Sequence, residues 1–402
     1  ALRDPLADLP QRPATPVVVA VDLPSGLHAD SGAVDAAVLP ADLTVTFGFP
    51  KPGLLAFPGA SVVGKLLIAD IGIAPFAPDE AYLHLLTAAL VAARLPARPS
   101  DAHKGTFGRA LIIAGSVNYP GAPSLAAQAA ARAGAGLVTL ALPERIYPIV
   151  AARQLEPTYL VLPHIMGVIS PDATRILEER LGDYQSVLIG PGLGAEKEAA
   201  RFVREFLAGP ERAAPKHRGR LGFVADESVA EESERAEERR LPPLVIDADA
   251  LNALAQEEKW WERMPAGCIL TPHPGEMARL LRMERDAVQA DRVETARRAA
   301  QTWNQIVVLK GAHTVVADPA GDAYLAPFAN PMLATAGTGD VLAGVIVGLL
   351  AQGLKPLDAA LAGVFLHGLA AEEIAEEWEQ DAGTLAGDLI AALPAAWARL
   401  RA

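Results

Sequence analysis

Apolar residues along this chain fall into short continuous runs and longer helical stripes. The runs at 17–21, 43–47 and 65–69 have strand length. The first is apolar throughout and predicts a buried parallel strand; the other two add strands beside it. Residues 74–100 hold several prolines and an Ala-rich helical stretch, and read as a domain junction. Beyond them, runs at 110–114, 137–142, 186–189, 244–246, 269–270 and 306–309 predict strands, and 122–133 and 196–207 predict helices. Alternation of this kind predicts α/β architecture with a mainly parallel sheet. The segments 315–317 and 323–326 read as a hairpin, and 356–378 and 384–400 as helices. No fixed-period repeat suggests a solenoid.

One further helix begins near Thr338. Val341, Leu342, Val345, Ile346, Leu349 and Leu350 recur at helical spacing and predict one buried face. Gly344 and Gly348, four apart, let another element approach the backbone. The turn Ala336-Gly337-Thr338-Gly339-Asp340 leads into it. Unpaired N–H groups and the helix dipole at such an end attract phosphate, and glycines allow close approach. The same dipole predicts that Asp340 is ionised near neutral pH. A carboxylate base beside a transferable phosphoryl group is the chemistry expected. Taken alone, the stretch reads equally as a Gly-rich turn followed by an ordinary first-turn Asp.

Other predicted strands also end in polar or Gly-rich turns, where open α/β sheets bind ligands. These are Asp22-Leu23-Pro24-Ser25-Gly26, Gly115-Ser116, residues 190–194, 247–252, 271–276 and 310–314. Asp22 and Ser25 suit a cation or a sugar hydroxyl, or a turn that caps its own backbone. Asp247 and Asp249 either orient Mg²⁺ through water or cap the helix that follows. Lys310 alone reads rather as a surface lysine at a strand end, and a lone His273 as a structural histidine.

With 402 residues the chain has room for a large domain and a smaller one. Hydrophobic residues make up 51% and aromatics 5%, so the core is Ala, Leu and Val. A net charge of −13 argues against a nucleic-acid partner. Phosphorylated ligands must then be held by local backbone nests. The single cysteine, Cys268, precludes an intrachain disulfide framework and reads as inert core. No secretory signal is visible, and no apolar run approaches the ~20 residues that span a bilayer. A soluble, cytoplasmic protein with no membrane partner is expected. Residues 208–243, with a mixed-charge run at 231–240, predict a solvated insertion without chemistry.

Several motifs occur in one order: His103-Lys104-Gly105-Thr106-Phe107-Gly108, Gly115-Ser116 through Tyr119 to Gly121-Ala122, then 190–194, 247–252, 271–276, 310–314, and Asn330 through Asp340 to Gly344. Through them residues 77–402 resemble the ADP-dependent (S)-NAD(P)H-hydrate dehydratase domain of the ribokinase-like superfamily. Residues 1–76 resemble the C-terminal part of an NAD(P)H-hydrate epimerase domain. The carriers there are residues 20–26, Thr46-Phe47-Gly48-Phe49-Pro50-Lys51-Pro52-Gly53, Phe57-Pro58-Gly59 and Asp70-Ile71-Gly72. No Asn/Gly-rich phosphate loop precedes Asp22, so an epimerase remnant lacking its N-terminal part is expected.

The resemblance implies a ribokinase-like, mainly parallel sheet with helices on both faces, preceded by a partial Rossmann-like α/β segment. It implies repair of hydrated NADH or NADPH: the ring hydroxyl is phosphorylated by ADP (or ATP) and phosphate is then eliminated. Asp340 is the implied base. Ala122, Gly192, Gly194, His273 and Asp340 are the implied hydrate contacts. Lys310, Gly311, Ala312, His313, Thr314, Asn330, Gly337, Thr338 and Gly339 are the implied nucleotide contacts. Asp22 is the implied epimerase substrate contact and Ser25 a K⁺ ligand. Mg²⁺ is the implied cofactor, with K⁺ for an intact epimerase domain, and the partners are small molecules. A homo-oligomer is expected by analogy, with a tetramer as the named case. The alternatives are a ribokinase-like kinase of hydroxymethylpyrimidine type and a non-catalytic nucleotide-binding protein.

Overall fold

A computed structural model of the chain describes residues 16–74, 81–208 and 241–401. Nearly all of the expected charged insertion at 208–243 lies outside the described residues. The chain divides into two compact units, Ala1–Ala81 and Tyr82–Ala402.

In the first unit β1 (Val19–Val21), β2 (Leu43–Phe47) and β3 (Lys65–Ala69) form a parallel sheet in that order. Leu27, Leu54 and Val63 make its small core. The expected burial of the first run is not found: Val17, Val19 and Val21 are 54%, 46% and 69% exposed. β1 lies at the edge of a three-stranded sheet. Among the described residues no strand pairs with its outer side.

The second unit is built on one large sheet. Its strands are β4 (Leu83–Leu85), β5 (Arg109–Ile113), β6 (Leu137–Pro143), β7 (Thr158–Leu162), β10 (Ser186–Ile189), β11 (Leu244–Ile246), β12 (Ile269–Leu270), β13 (Ile306–Leu309), β14 (Val315–Ala317) and β15 (Ala323–Leu325). Between β7 and β10, β8 (His164–Ile165) and β9 (Val168–Ile169) form a separate hairpin. The order across the large sheet is β4-β15-β14-β13-β12-β11-β10-β5-β6-β7. Pairing is parallel except where β14 turns back between β13 and β15. Leu111, Ile112 and Ile113 of β5 are all fully buried, so both faces of the sheet are covered.

The helices are α1 (Ala88–Ala92), α2 (Ala122–Arg132), α3 (Tyr147–Ala151), α4 (Ala173–Glu178), α5 (Lys197–Ala208), α6 (Ala248–Leu254), α7 (Pro274–Leu281), α8 (Arg285–Ala290), α9 (Arg292–Trp303), α10 (Thr338–Ala351), α11 (Pro356–Trp378) and α12 (Ala386–Arg401). α10 is the central one. Every residue from Val341 to Ala351 is buried, so the expectation of one buried face falls short. It packs on β5, β10 and β11 and against α2 and α11, which leaves it no solvent side. The small residues set the spacing. A Cβ on Gly344 would lie 2.4 Å from the Ala126 carbonyl, and one on Gly348 would lie 2.6 Å from that of Ala130. Ala-rich α2 thus lies directly on the backbone of α10 and fixes where its N-terminus points.

Candidate active site

The sheet changes direction between β5 and β10. From β5 the chain winds outward through β6 and β7, then returns to place β10 on the other side of β5. In open α/β sheets such a switch point, at the C-terminal ends of the strands, is where ligands bind. The loops that leave the two strands are joined, the Gly115 N–H donating to the Pro191 carbonyl at 2.8 Å. Gly192 (φ +63°) lies against the start of α2, where its Cβ would stand 2.9 Å from that of Ala122 and 2.7 Å from that of Tyr119. Ala122 and Gly192 therefore meet, and only a residue without a side chain fits the second position.

The next three strand ends converge on one buried cluster. Asp247, 1% exposed, follows β11. Its Oδ1 accepts from the Thr271 hydroxyl at 2.8 Å and from Lys310 Nζ at 2.7 Å. Its Oδ2 is buried without a partner among the described residues. It occupies the N-cap position of α6 but makes no capping bond. Asp249, two residues on, accepts the Gly194 N–H at 2.9 Å and so ties the glycine turn to the cluster. After β12, His273 caps α7: its Nδ1 accepts from the N–H groups of Gly275 (3.0 Å) and Glu276 (3.4 Å). The Glu276 carboxylate accepts the His273 N–H at 2.7 Å, which closes a capping box. Lys310, after β13, sits between Asp247 and Glu276, at 2.7 and 3.8 Å. The N-terminus of α10 completes the ring: a Cβ on Gly339 would be 3.4 Å from Lys310 Nζ.

Charge in this cluster is unbalanced, with Asp247, Glu276 and Asp340 around one lysine. Burial, then the neighbouring Asp247, raises the Asp340 carboxyl to about 7 despite Lys310. Asp340 is thus half protonated near neutrality, and the expectation that it is simply ionised there is corrected. Desolvation and carboxylate repulsion outweigh the helix dipole. Burial also raises Glu276, against the pull of Lys310. For Lys310 burial opposes the charge, but Asp247 and Glu276 prevail and hold it protonated. Partial burial and the nearby Lys310 push His273 down to about 4, although half of its side chain is exposed. With Nδ1 accepting two backbone bonds, the neutral ring carries its proton on Nε2. The arrangement offers a carboxylate titrating near 7, a fixed ammonium, and helix N–H donors at one corner.

The NAD(P)H-hydrate dehydratase family matches residues 110–211 and 221–395. The chain belongs to that family. The YjeF-related protein N-terminus matches residues 2–53. The bifunctional NAD(P)H-hydrate repair enzyme Nnr of Moorella thermoacetica is 43% identical over 379 residues, 94% of this chain and 66% of that protein. The enzyme of the same name from Escherichia coli is 37% identical over 382 residues, covering 94% and 64%. The chain thus spans about two thirds of the length of these curated relatives. Among solved structures, the ADP/ATP-dependent NAD(P)H-hydrate dehydratase of Bacillus subtilis, co-crystallised with ATP and Mg²⁺, superposes with a TM-score of 0.62 at 31% identity. It covers 79% of this chain and 98% of that one. A ribokinase-like protein of Enterococcus faecalis gives 0.62 at 25% identity, over 82% and 99%. The dehydratase family and the ribokinase-like fold expected from the sequence are those found.

The fold brings Ala122 to Gly192, Gly194 to Asp249, and His273, Lys310 and Gly339 to one cluster that also sets the charge of Asp340. Other candidates have side chains committed elsewhere. His313, buried at φ +50°, donates Nδ1–H to the Ala326 carbonyl at 3.0 Å. Thr314 donates its hydroxyl to the Gly311 carbonyl at 2.9 Å. Asn330 binds the Met332 N–H (2.9 Å) and Glu372 (3.1 Å). The Thr338 hydroxyl is shared by the carbonyls of Leu333 and Thr335, each at 2.9 Å. Backbone groups here are engaged too: the His313 N–H donates to the Phe328 carbonyl at 2.8 Å and the Thr314 carbonyl accepts the Ala326 N–H at 2.9 Å. Buried His367 holds the helix end by donating Nε2–H to the Thr338 carbonyl at 2.9 Å. Thr271, Glu276 and His367 had no assigned role in the sequence; the His273-x-x-Glu276 spacing of a capping box was the one available signal. In the first unit Asp22 (φ +70°) accepts from Thr46 (3.1 Å), the Phe47 N–H (3.2 Å) and Lys51, which holds its carboxyl below the usual range. Ser25 is exposed on the turn that follows. Cys268 is buried and its thiol is pushed up to about 12, as inert core requires. Among the described residues no helix is long and apolar enough to cross a membrane.

Proposed function

We propose that the chain dehydrates (S)-NADH or (S)-NADPH hydrate, consuming ADP and yielding AMP and phosphate. The observation that carries this reading is Asp340: a carboxylate that titrates near 7, in the first turn of α10, within the field of Lys310. A general base works best with its pKa near the working pH. Asp340 takes the proton of the ring hydroxyl as that oxygen bonds to the terminal phosphorus of ADP and AMP leaves. The N–H groups of Gly337, Thr338 and Gly339 and the Lys310 ammonium hold the charge spreading over the phosphoryl oxygens. The C–O bond then breaks with its electrons going to phosphate, and the ring nitrogen lone pair stabilises the cation left behind. Loss of the neighbouring ring proton restores the reduced nicotinamide.

His273 is a neutral donor through Nε2 and suits the hydrate's carboxamide or hydroxyl oxygen, while Ala122, Gly192 and Gly194 let the ring approach backbone. Lys310, Gly311, Ala312, His313, Thr314 and Asn330 would line the nucleotide side. Mg²⁺ fits the residues present. Asp247 carries a buried oxygen without a partner, and Asp249 is already engaged by Gly194 and Asn252. Among the described residues no group of three or more His, Cys, Asp and Glu could cage a metal. An ion held by Asp247, water and the nucleotide's own phosphates matches the habits of Mg²⁺, and it would neutralise phosphate charge. A hydroxymethylpyrimidine-type kinase would share the base and anion corner, but the family match favours dehydration. In the whole protein we assign an accompanying NAD(P)H-hydrate epimerase function, with Asp22 at its substrate and Ser25 at K⁺, in a homo-oligomer such as a tetramer.

The test is turnover with separated S and R hydrates and ADP or ATP. S hydrate with ADP should regain the absorbance of reduced nicotinamide with one AMP per turnover. A stable phosphorylated product without that absorbance would favour the kinase. Rapid use of R hydrate would add epimerisation to this chain.

A further inference from the structure

Arg292 opens α9, and its guanidinium reaches the end of β13. Nη2 donates to the carbonyls of Leu309 (3.1 Å) and Lys310 (3.3 Å), and Nη1 to Gln289 Oε1 at 2.9 Å. The next residue, Gly311, is at φ +141°, and a Cβ there would lie 2.9 and 3.0 Å from Nη1 and Nη2. The chain therefore passes flat against the guanidinium, which only glycine permits. Among the described residues no carboxylate pairs with Arg292, and burial brings its pKa down to about 10. Arg292 is partly buried, and a cation that loses part of its hydration without a counter-ion is costly to keep. Its neighbours here are two carbonyls of one strand end, together with His313, whose protonation it disfavours.

We propose that Arg292 is a positioning residue of the nucleotide site. By clamping the carbonyls of Leu309 and Lys310 it sets the direction in which Lys310 leaves the strand. That direction brings Nζ to Asp247 and to the N-terminus of α10. It also fixes the Gly311–Thr314 backbone on which a nucleotide would rest. A planar fork can hold two adjacent carbonyls at once, whereas a lysine ammonium is a single point. The proposal rests on the nucleotide reading of residues 310–314 given above.

The test compares Arg292→Lys with wild type by steady-state kinetics and by melting with and without ADP and Mg²⁺. The KM for ADP should rise roughly tenfold to a hundredfold, as expected for lost charge-assisted hydrogen bonds, while the KM for the hydrate holds. The ADP-induced rise in melting temperature should shrink in parallel. Gln289→Ala, which releases Nη1 without touching residues 310–314, should give the same split in smaller measure and decides the matter if Arg292→Lys does not fold. A lower basal melting temperature with an unchanged KM for ADP would make Arg292 merely structural and overturn the proposal. No ADP-induced shift in the wild type would instead refute the nucleotide reading beneath it.

Discussion

Replacing Asp340 by Asn should stabilise the protein, and the gain should depend on pH. The carboxyl rises from 3.8 to about 7 on folding because of burial and Asp247. Between those values the folded state holds a proton that the unfolded chain has released, so stability falls as pH rises through the window. Above 7 the full cost is present. A rise of this size corresponds to about 4 kcal/mol. Asp340 is partly exposed, and water screens some of that, leaving on the order of 2 kcal/mol. Asn keeps the shape and has no charge to desolvate. The variant should gain about 2 kcal/mol at pH 8, less at pH 5, and little below pH 4. In melting temperature the gain at pH 8 is roughly 4 to 8 °C. Urea titrations of both proteins at pH 5 and 8 measure the difference. Equal stabilities at pH 8, or a larger gain at pH 5, would refute the assignment of a buried, strained carboxylate at this corner.

In the wild type, kcat/KM for the hydrate should fall about tenfold per pH unit below about 7, because Asp340 must be ionised to accept the proton; a flat profile down to pH 5 would count against it. Lys310→Met leaves Asp247 buried and unpaired, which should cost about 3 to 5 kcal/mol in urea melts at pH 7.5. Gly344→Val drives a side chain into the Ala126 carbonyl and should cost at least about 1 to 3 kcal/mol by overpacking; an unchanged midpoint would contradict the close approach of α2 to α10.

Much of the site was legible because each part sits where a short apolar run stops. β10, β11, β12 and β13 are buried on both faces, so their runs are continuous and their ends sharp. Gly344 and Gly348 announced a close neighbour, and α2 is that neighbour. What sequence did not carry was three-dimensional charge. Asp247, Glu276, Lys310 and Asp340 stand far apart in the chain; burial first, then Asp247, raises Asp340 and corrects the expectation for it. β7 and the β8–β9 hairpin went unread, lying at the sheet's edge and beyond it, where burial gives a weaker pattern. Arg292 gave no signal either, since nothing local marks which carbonyls a long side chain will reach.

Turnover of Asp340→Asn with (S)-NADH hydrate and ADP, measured beside ADP binding, bears most directly on the catalytic corner. The rate of return of reduced-nicotinamide absorbance should drop by about 10² to 10⁴, with ADP affinity retained. Wild-type-like turnover by that variant would contradict the assignment of Asp340 as the base.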